Sequence, residues 1–339
     1  MTMSTAQETA TQIVVTEPAA KRTLTVPMIG NLLLLAVLLI APIFVKNFVV
    51  FQFTMILIYA IAILSLNILT GVSGQVSLGH SAFFAAGAYG AGILMEHANV
   101  PYPLAILAAG VICFAIGFLF GLPALRLKGV YLALATFALA VAAPPLLKLG
   151  TFEHWTGGVQ GLLVTKPDPA FGLPISQDRW MYYVTLAITL VIYLLSVNLL
   201  NSRSGRAFMA IRDNEIAASS MGINLALYKT LAFGISAGLT GIAGALGAIT
   251  VAFVAPDAYT FNFAIALFLG MVIGGVGWLP GSLAGAAFIV YVPNIAEGIS
   301  KGLSGAVFGV FIIAVIFLLP NGARQLAYYL RDQLNKLIK

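Results

Sequence analysis

An all-α polytopic membrane protein is the fold class this sequence predicts, on three observations. Hydrophobic residues fill 60% of its 339 positions and the mean hydropathy is +1.01, more apolar surface than a soluble core of that length can hide. About ten apolar runs approach the roughly 20 residues needed to cross a bilayer. Charged residues are only 8% of the chain and collect between those runs.

The spans expected on this criterion are 27–45, 50–70, 80–95, 103–124, 129–147, 180–200, 229–252, 260–276, 281–297 and 303–320. The third and the two flanking Gly275 are short or broken by glycine. Residues 1–26 read as a disordered cytoplasmic tail. The apolar run after Lys21-Arg22 is too long for a signal-peptide core and has no evident cleavage site, so it reads as a retained helix. Residues 27–320 then form the transmembrane domain, and 321–339 a basic cytoplasmic tail. Basic residues collect on the cytoplasmic side of membrane proteins. With the N-terminus inside, that side receives Arg126, Lys128, the Arg203 to Lys229 stretch and the C-terminal tail. The outer side receives Lys46, Lys148, Lys166, Arg179 and Lys301, diluted by acids that include Glu96, Asp168, Asp178, Asp257 and Glu297. Both termini fall inside.

The net charge of +6 sits in short groups at span ends, the pattern of a topology signal and not of nucleic-acid binding. The single cysteine, Cys113, lies in an apolar run, and His80, His97 and His154 lack ligand spacing, so no metal site is expected. No carboxylate pair or HExxH occurs within the spans, and no Gly-Lys dipeptide exists to build a phosphate loop. Any ATP is therefore held by another chain.

The longest charged stretch of the second half, Asn201 to Gly222 within a loop at 202–228, is too polar for lipid. Ser204 is expected to cap a first short helix with an apolar stripe of Ala207, Phe208, Ala210 and Ile211. Asn214 caps a second, Glu215 lies in its first turn, and Gly222 ends it in a left-handed conformation. Helices this short are marginal alone and need a surface to dock against. The outer loop 149–179 contains Trp155-Thr156-Gly157-Gly158 and is kept irregular by Pro167, Pro169 and Pro174. It reads equally as a place for a partner or as a hairpin tied down by Trp155.

Three further stretches interrupt the apolar pattern. In Gly71 to Ser81, the residues Gly74, Gln75, Ser77, Gly79, His80 and Ser81 read either as a broken helix lining a polar path or as a plain turn followed by a capped helix. Glycines and Pro280 break the run Gly270 to Gly281, and Pro144-Pro145 should kink or end the fifth span. Four-residue ladders of small residues predict close helix contacts: Ala82, Ala86 and Gly90; Gly234 and Gly238; Ala237, Gly241 and Ala245; Gly277, Gly281 and Gly285.

Five runs, in order, resemble the permease subunits of branched-chain amino acid ABC importers, in particular their LivM-like branch. They are Asn67 to Tyr89, Gly129 to Thr136, Thr156 to Gly158, Ser204 to Gly222 and Gly274 to Ser282, and the similarity extends over about 28–320. The resemblance implies a fold like that of type II ABC importers, a bacterial inner-membrane location and a second, LivH-like permease subunit. It also implies two cytoplasmic ATPase subunits, which bind the ATP and Mg, and a periplasmic substrate-binding protein. No cofactor is bound by the chain itself.

On the resemblance, Ser204, Gly205, Arg206, Arg212, Asn214, Glu215, Ala217, Ala218 and Gly222 couple to the ATPase, and Trp155 to Gly158 meet the outer partner. The general loop pattern starts Glu-Ala-Ala, whereas here Ile216 precedes Ala217-Ala218 and Glu215 stands one place earlier. Leucine, isoleucine and valine are the implied solutes; related importers carry urea, amides or other amino acids. An ion-coupled carrier is the competing class, weakened by the scarcity of ionisable residues within the spans, and a membrane scaffold is the third.

Overall fold

The computed structural model describes residues 37–127, 129–172 and 174–299, with short pieces at 309–311, 313–314, 317 and 322–325. The expected tail 1–26, most of the tail 321–339, the start of the span at 27–45 and most of that at 303–320 lie outside the described residues.

A helical stretch over 37–44 leads into α1 (Asn47–Leu66), whose end widens into a π-helix, Asn67–Val72. There follow α2 (His80–Glu96), α3 (Tyr102–Ala124), α4 (Val130–Leu147), the short α5 (Glu153–Thr156), α6 (Gln177–Asn201), α7 (Arg203–Asp213), α8 (Glu215–Ser220), α9 (Leu225–Val251), α10 (Phe261–Gly274) and α11 (Gly281–Ile299). Two residue pairs form the strands β1 (Leu162–Leu163) and β2 (Phe253–Val254), antiparallel. Every expected span between 50 and 297 coincides with a helix to within a few residues. Among the described residues, five helices are long and apolar enough to cross a membrane: α1 with its π turn, α3, α4, α6 and α9. The chain is thus a mostly helical, multi-pass membrane protein.

The bundle is built around α9. Of its most apolar stretch 83% is buried, against 22% for α4 and for α6, and it packs along α3 and α2 and against α1. Lipid gives apolar helices no reason to prefer one another, so association depends on close van der Waals approach through small residues. A Cβ on Gly87 would overlap the Gly241 carbonyl, and one on Gly244 would overlap that of Phe84. Along α3, Gly117 would meet Ala237, and Gly121 would come within 2.9 Å of the Thr230 Cα. A second seam joins α10 and α11, where Gly274 and Gly270 face Gly281 and Gly285 backbone to backbone.

Two expectations change. The ladder of Ala82, Ala86 and Gly90 is not the contact face of α2, since a Cβ on Gly90 would find only Ala109, 4.0 Å away. The α2 side chain at His80 bonds to Ser236 of α9 and so turns Phe84, Gly87 and Ala88 toward that helix. Gly277 lies in the turn between α10 and α11 with φ +76°, outside any helical ladder. The fifth span ends as expected, α4 stopping at Leu147, two residues after Pro145.

The two ends of the bundle separate the charges. At what we call the far end, Lys148 pairs with Asp257 and Lys166 with Asp178, while Arg179 donates to the Val45 carbonyl. At the near end, Arg212 reaches the Gly71 carbonyl and Lys229 pairs with Glu215. Each group contains only residues that the charge pattern assigns to one side.

Gly244→Val should destabilise the protein by on the order of 3 kcal/mol, because backbone and not a flexible side chain blocks the added methyls. Gly90→Ala should be close to neutral. Thermal unfolding of the two purified variants in detergent checks the contrast.

Candidate functional site

The near-end site starts from a break in regular structure. At Asn67–Val72 the chain changes to π bonding, with the Ser73 N–H donating to the Ile68 carbonyl, a geometry that recurs at functional sites. The widened turn brings Gly71 so close to the next glycine-rich stretch that a Cβ there would lie 2.5 Å from the Gly277 nitrogen. Asn67, 1% exposed, joins the two. Its amide donates to the Gly275 and Trp278 carbonyls, each at 3.2 Å, and its carbonyl accepts the Gly277 N–H at 2.6 Å.

From Ser73 to Gly79 the chain is neither helix nor strand, and it is largely buried. Buried backbone polar groups require partners, and here side chains supply them. The Leu78 N–H donates to Thr136 Oγ1 of α4 at 2.9 Å, and the Gly79 N–H to Ser77 Oγ. Thr70 donates to the Gln75 carbonyl, while the Gln75 amide reaches Ser73 Oγ at 2.7 Å and the Lys229 carbonyl at 3.3 Å. Gly74 turns at φ +74° directly beneath Arg212, whose Cγ a Cβ would approach to 2.8 Å.

The turn then opens α2 with His80, 1% exposed. Its Nδ1 lies 3.1 Å from Ser77 Oγ and its Nε2 2.7 Å from Ser236 Oγ, and Ser236 donates to the Ser65 carbonyl at 2.7 Å. Because the Ser236 proton is committed to Ser65, Nε2 carries a proton and donates it to Ser236. The Ser65 hydroxyl in turn lies 2.6 Å from Thr240 Oγ1. The structure therefore ties α1, α2 and α9 together through these polar contacts. Ser81 is fully buried, and its hydroxyl has no hydrogen-bond partner among the described residues.

The loop between α6 and α9 lies over this turn. Ser202, not Ser204, caps α7: its hydroxyl accepts from the Gly205 N–H and donates to Leu199. The difference comes from α6, which runs to Asn201 and leaves Ser202 as the one extended residue between two helices. Gly205 permits that tight join, since a Cβ there would overlap the Leu200 carbonyl. Arg206 folds back on the Asn201 carbonyl at 3.0 Å.

Asn214 caps α8 through the Ile216 and Ala217 N–H groups, both at 3.0 Å. The far side of α8 closes as expected. Gly222 has φ +83°, and the Gly222 and Ile223 N–H groups bond to Ser219 and Ala218, which is the paired bond of a glycine-terminated helix. Phe208 is fully buried among Leu69, Val72, Leu132 and Phe233, and Ala207, Ile211 and Ala218 are buried with it. Glu215 pairs with Lys229 at 2.6 Å, and Arg212 with Asp213 at 2.9 Å. Thus the loop docks first on its own chain. Facing away from it, Ile216 is 79% and Met221 83% exposed, and Arg203, Arg206 and Ala217 are exposed as well.

The residues Trp155, Thr156, Gly157 and Gly158 lie at the far end, away from this assembly. Thr156 is buried and bonds to the Leu147 carbonyl, whereas Trp155 is half exposed and packs edge-on against His97 and His154. Gly157 and Gly158 both take positive φ. The loop returns through β1, which fastens it to the end of α9 at β2.

Asn67, Thr136 and Ser236 complete the near-end site and were not among the residues singled out as site candidates in the sequence. Their partners are remote in sequence; the only local signal is a polar side chain inside an apolar run, which for Asn67 stands directly before the glycine-rich turn.

Residues 48–318 match the family described as "Branched-chain amino acid transport system / permease component". The chain is 32% identical to the "High-affinity branched-chain amino acid transport system permease protein LivM" of Salmonella typhimurium over 87% of this chain and 76% of that protein. To the protein of the same description from Escherichia coli it is 34% identical over 73% of this chain and 64% of that one, less than two thirds of the relative's length. A "Probable branched-chain amino acid transport permease protein LivM" of Methanocaldococcus jannaschii is 26% identical over 65% and 67%. No solved structure matches.

Asn67→Leu should cost about 3 kcal/mol, since it strands the Gly277 N–H and the Gly275 and Trp278 carbonyls, the first of these carbonyls buried. Thermal melts of the purified variant measure the loss, and increased proteolysis within 274–281 relative to wild type shows that it is local.

Proposed function

We propose a function from one premise: the chain belongs to the permease component family of branched-chain amino acid transport systems. It forms one half of a pathway that carries leucine, isoleucine and valine across the bacterial inner membrane, driven by ATP hydrolysed on other subunits. The full assembly comprises a related, LivH-like second permease, two cytoplasmic ATPase subunits holding ATP with Mg, and a periplasmic binding protein. In this reading the chain has about ten spans in a type II importer arrangement, with both termini in the cytoplasm. The near end is cytoplasmic and the far end, with Trp155 to Gly158, receives the binding protein.

The observation that carries the mechanism is the double-sided loop at 202–228. One side is locked into the bundle through Phe208, Arg212 and the Glu215–Lys229 pair. The other presents Ile216 and Met221 to the surroundings, apolar side chains that a soluble partner would cover. A push on α8 is therefore delivered to the turn at Gly71 to Ser81, because Arg212 sits on Gly71 and Gly74. That turn, with Gln75, Ser77, Gly79 and His80 packed inward, is the near-end barrier of the pathway. Its displacement opens the pathway by rigid-body movement of packed elements, which switch between arrangements rather than deform continuously.

Ile216→Asp and Met221→Asp test the reading. Both side chains are exposed in the chain itself, so the variants should fold, pair with the second permease and melt as wild type does. Retention of the ATPase subunits on the purified permease should fall about tenfold or more, as for loss of a central interface anchor, and ATP-driven leucine uptake into proteoliposomes should fall with it. Unaltered retention and uptake would remove the loop from the coupling interface.

A further inference from the structure

At the far end, α4 and the turn before α10 enclose an open cleft of about 310 Å³, at the small end of the roughly 300–1,000 Å³ typical of small-molecule pockets. Its polar side is the ion pair of Lys148 and Asp257, 2.6 Å between Nζ and Oδ1. Its apolar side is built from Val141, Pro145 and Phe261. Thr260 stands at the N-terminus of α10, lines the same cleft, and spends no side-chain hydrogen bond on capping that helix.

We propose that this cleft is a binding site for a free, zwitterionic amino acid with an aliphatic side chain, the first contact of the solute with the chain. The inference rests on the transport reading above and extends it to a place and a chemistry. One ammonium proton of Lys148 and one oxygen of Asp257 meet each other, which leaves two N–H donors and the second carboxylate oxygen for a ligand. An amino acid carries its ammonium and carboxylate within a hydrogen bond's reach of each other. It can lie antiparallel beside the pair, carboxylate on Lys148 and ammonium on Asp257, so that four charges alternate. The Thr260 hydroxyl and the positively polarised start of α10 add to the carboxylate side. The branched side chain then rests on Val141, Pro145 and Phe261, which are rigid or aromatic. A neutral solute such as urea or an amide gains nothing from the alternating charges.

The position also connects to the near-end turn. Thr136, Ala140 and Pro144 are buried along α4, and Lys148 follows its last residue, about 18 Å from Thr136 along the axis at the helical rise. Lys148 is in the cleft, and Thr136 holds the Leu78 N–H of the buried turn. The cleft and the barrier are thus joined by α4.

Binding of tritiated leucine to the permease pair in nanodiscs, with no binding protein present, tests the site directly. Saturable binding is expected, displaced by isoleucine and valine but not by isoamylamine or 4-methylpentanoate, which each lack one of the two charges. Lys148→Gln, Asp257→Asn and the double variant should each weaken binding about tenfold or more, the worth of one charge-assisted hydrogen bond. Val141→Trp, which keeps both charges and fills the cleft, should do the same. Absence of saturable binding in wild type, unchanged binding in the single variants, or recovery in the double variant would overturn the proposal, the last by showing that the pair serves only the fold. Leucine uptake by the assembled wild-type transporter is measured in parallel. If that uptake is absent the transport reading fails, whereas uptake without binding at the cleft sinks the site alone.

Discussion

A chain that abandons helical bonding inside a packed bundle must find other partners for its peptide groups, and this requirement organises the near end of the molecule. Between Gly71 and His80 those partners are side chains, two of them from distant elements: Arg212 for the Gly71 carbonyl and Thr136 for the Leu78 N–H, with Thr70 serving the Gln75 carbonyl locally. The long-range bonds, with that of Gln75 to the Lys229 carbonyl, fix one helix relative to another. An irregular stretch, usually the looser part of a protein, becomes here the place where α1, α4, α7 and α9 are held in register. The cost of leaving any of these groups buried and unpaired, about 1–3 kcal/mol apiece, is what gives the arrangement its stiffness.

Two glycine seams set the distances at which those bonds can form. Where α9 meets α2 and α3, backbones approach within van der Waals contact, and polar contacts between helices then form: Ser236 Oγ with His80 and with the Ser65 carbonyl, and Ser65 Oγ with Thr240 Oγ1. The seam between α10 and α11 does the same for the turn that Asn67 clasps. Small residues thus act indirectly: they carry no chemistry, but polar contacts across helices exist only because they permit the approach. The loop over the near end inherits this rigidity on one face and keeps its other face, with Ile216 and Met221, free of the bundle.

Much of this was legible in the sequence, and the rest was hidden for identifiable reasons. Hydropathy located the long apolar helices because a span is a property of contiguous residues. The Asn214 cap and the Gly222 stop were readable because cap chemistry is also local. The Ser202 cap was missed since two cap-forming serines stand two apart, and only the length of α6 decides between them. The ladder through Ala82, Ala86 and Gly90 satisfied the spacing rule as well as Gly87 did; which face meets α9 is settled by His80 and Ser236, 156 positions apart. Asn67 carries no local signal beyond its polarity and its place in a family-like run, because its role lies in carbonyls more than 200 residues away. The π turn has no sequence signature that hydropathy or helical periodicity registers.

The central claim is that the loop at 202–228 and the turn at 71–81 move as one body. Cys113 is buried and is the only cysteine, so its replacement by alanine leaves a background in which spin labels can be placed at will. Pulsed electron paramagnetic resonance on the assembled transporter, with label pairs at Ser219 and Val76 and at Ser219 and Val159, compares the two distances with and without ATP. The account predicts an unchanged 219–76 distance and a shifted 219–159 distance. A 219–76 distance that changes on ATP binding while 219–159 stays fixed would contradict it.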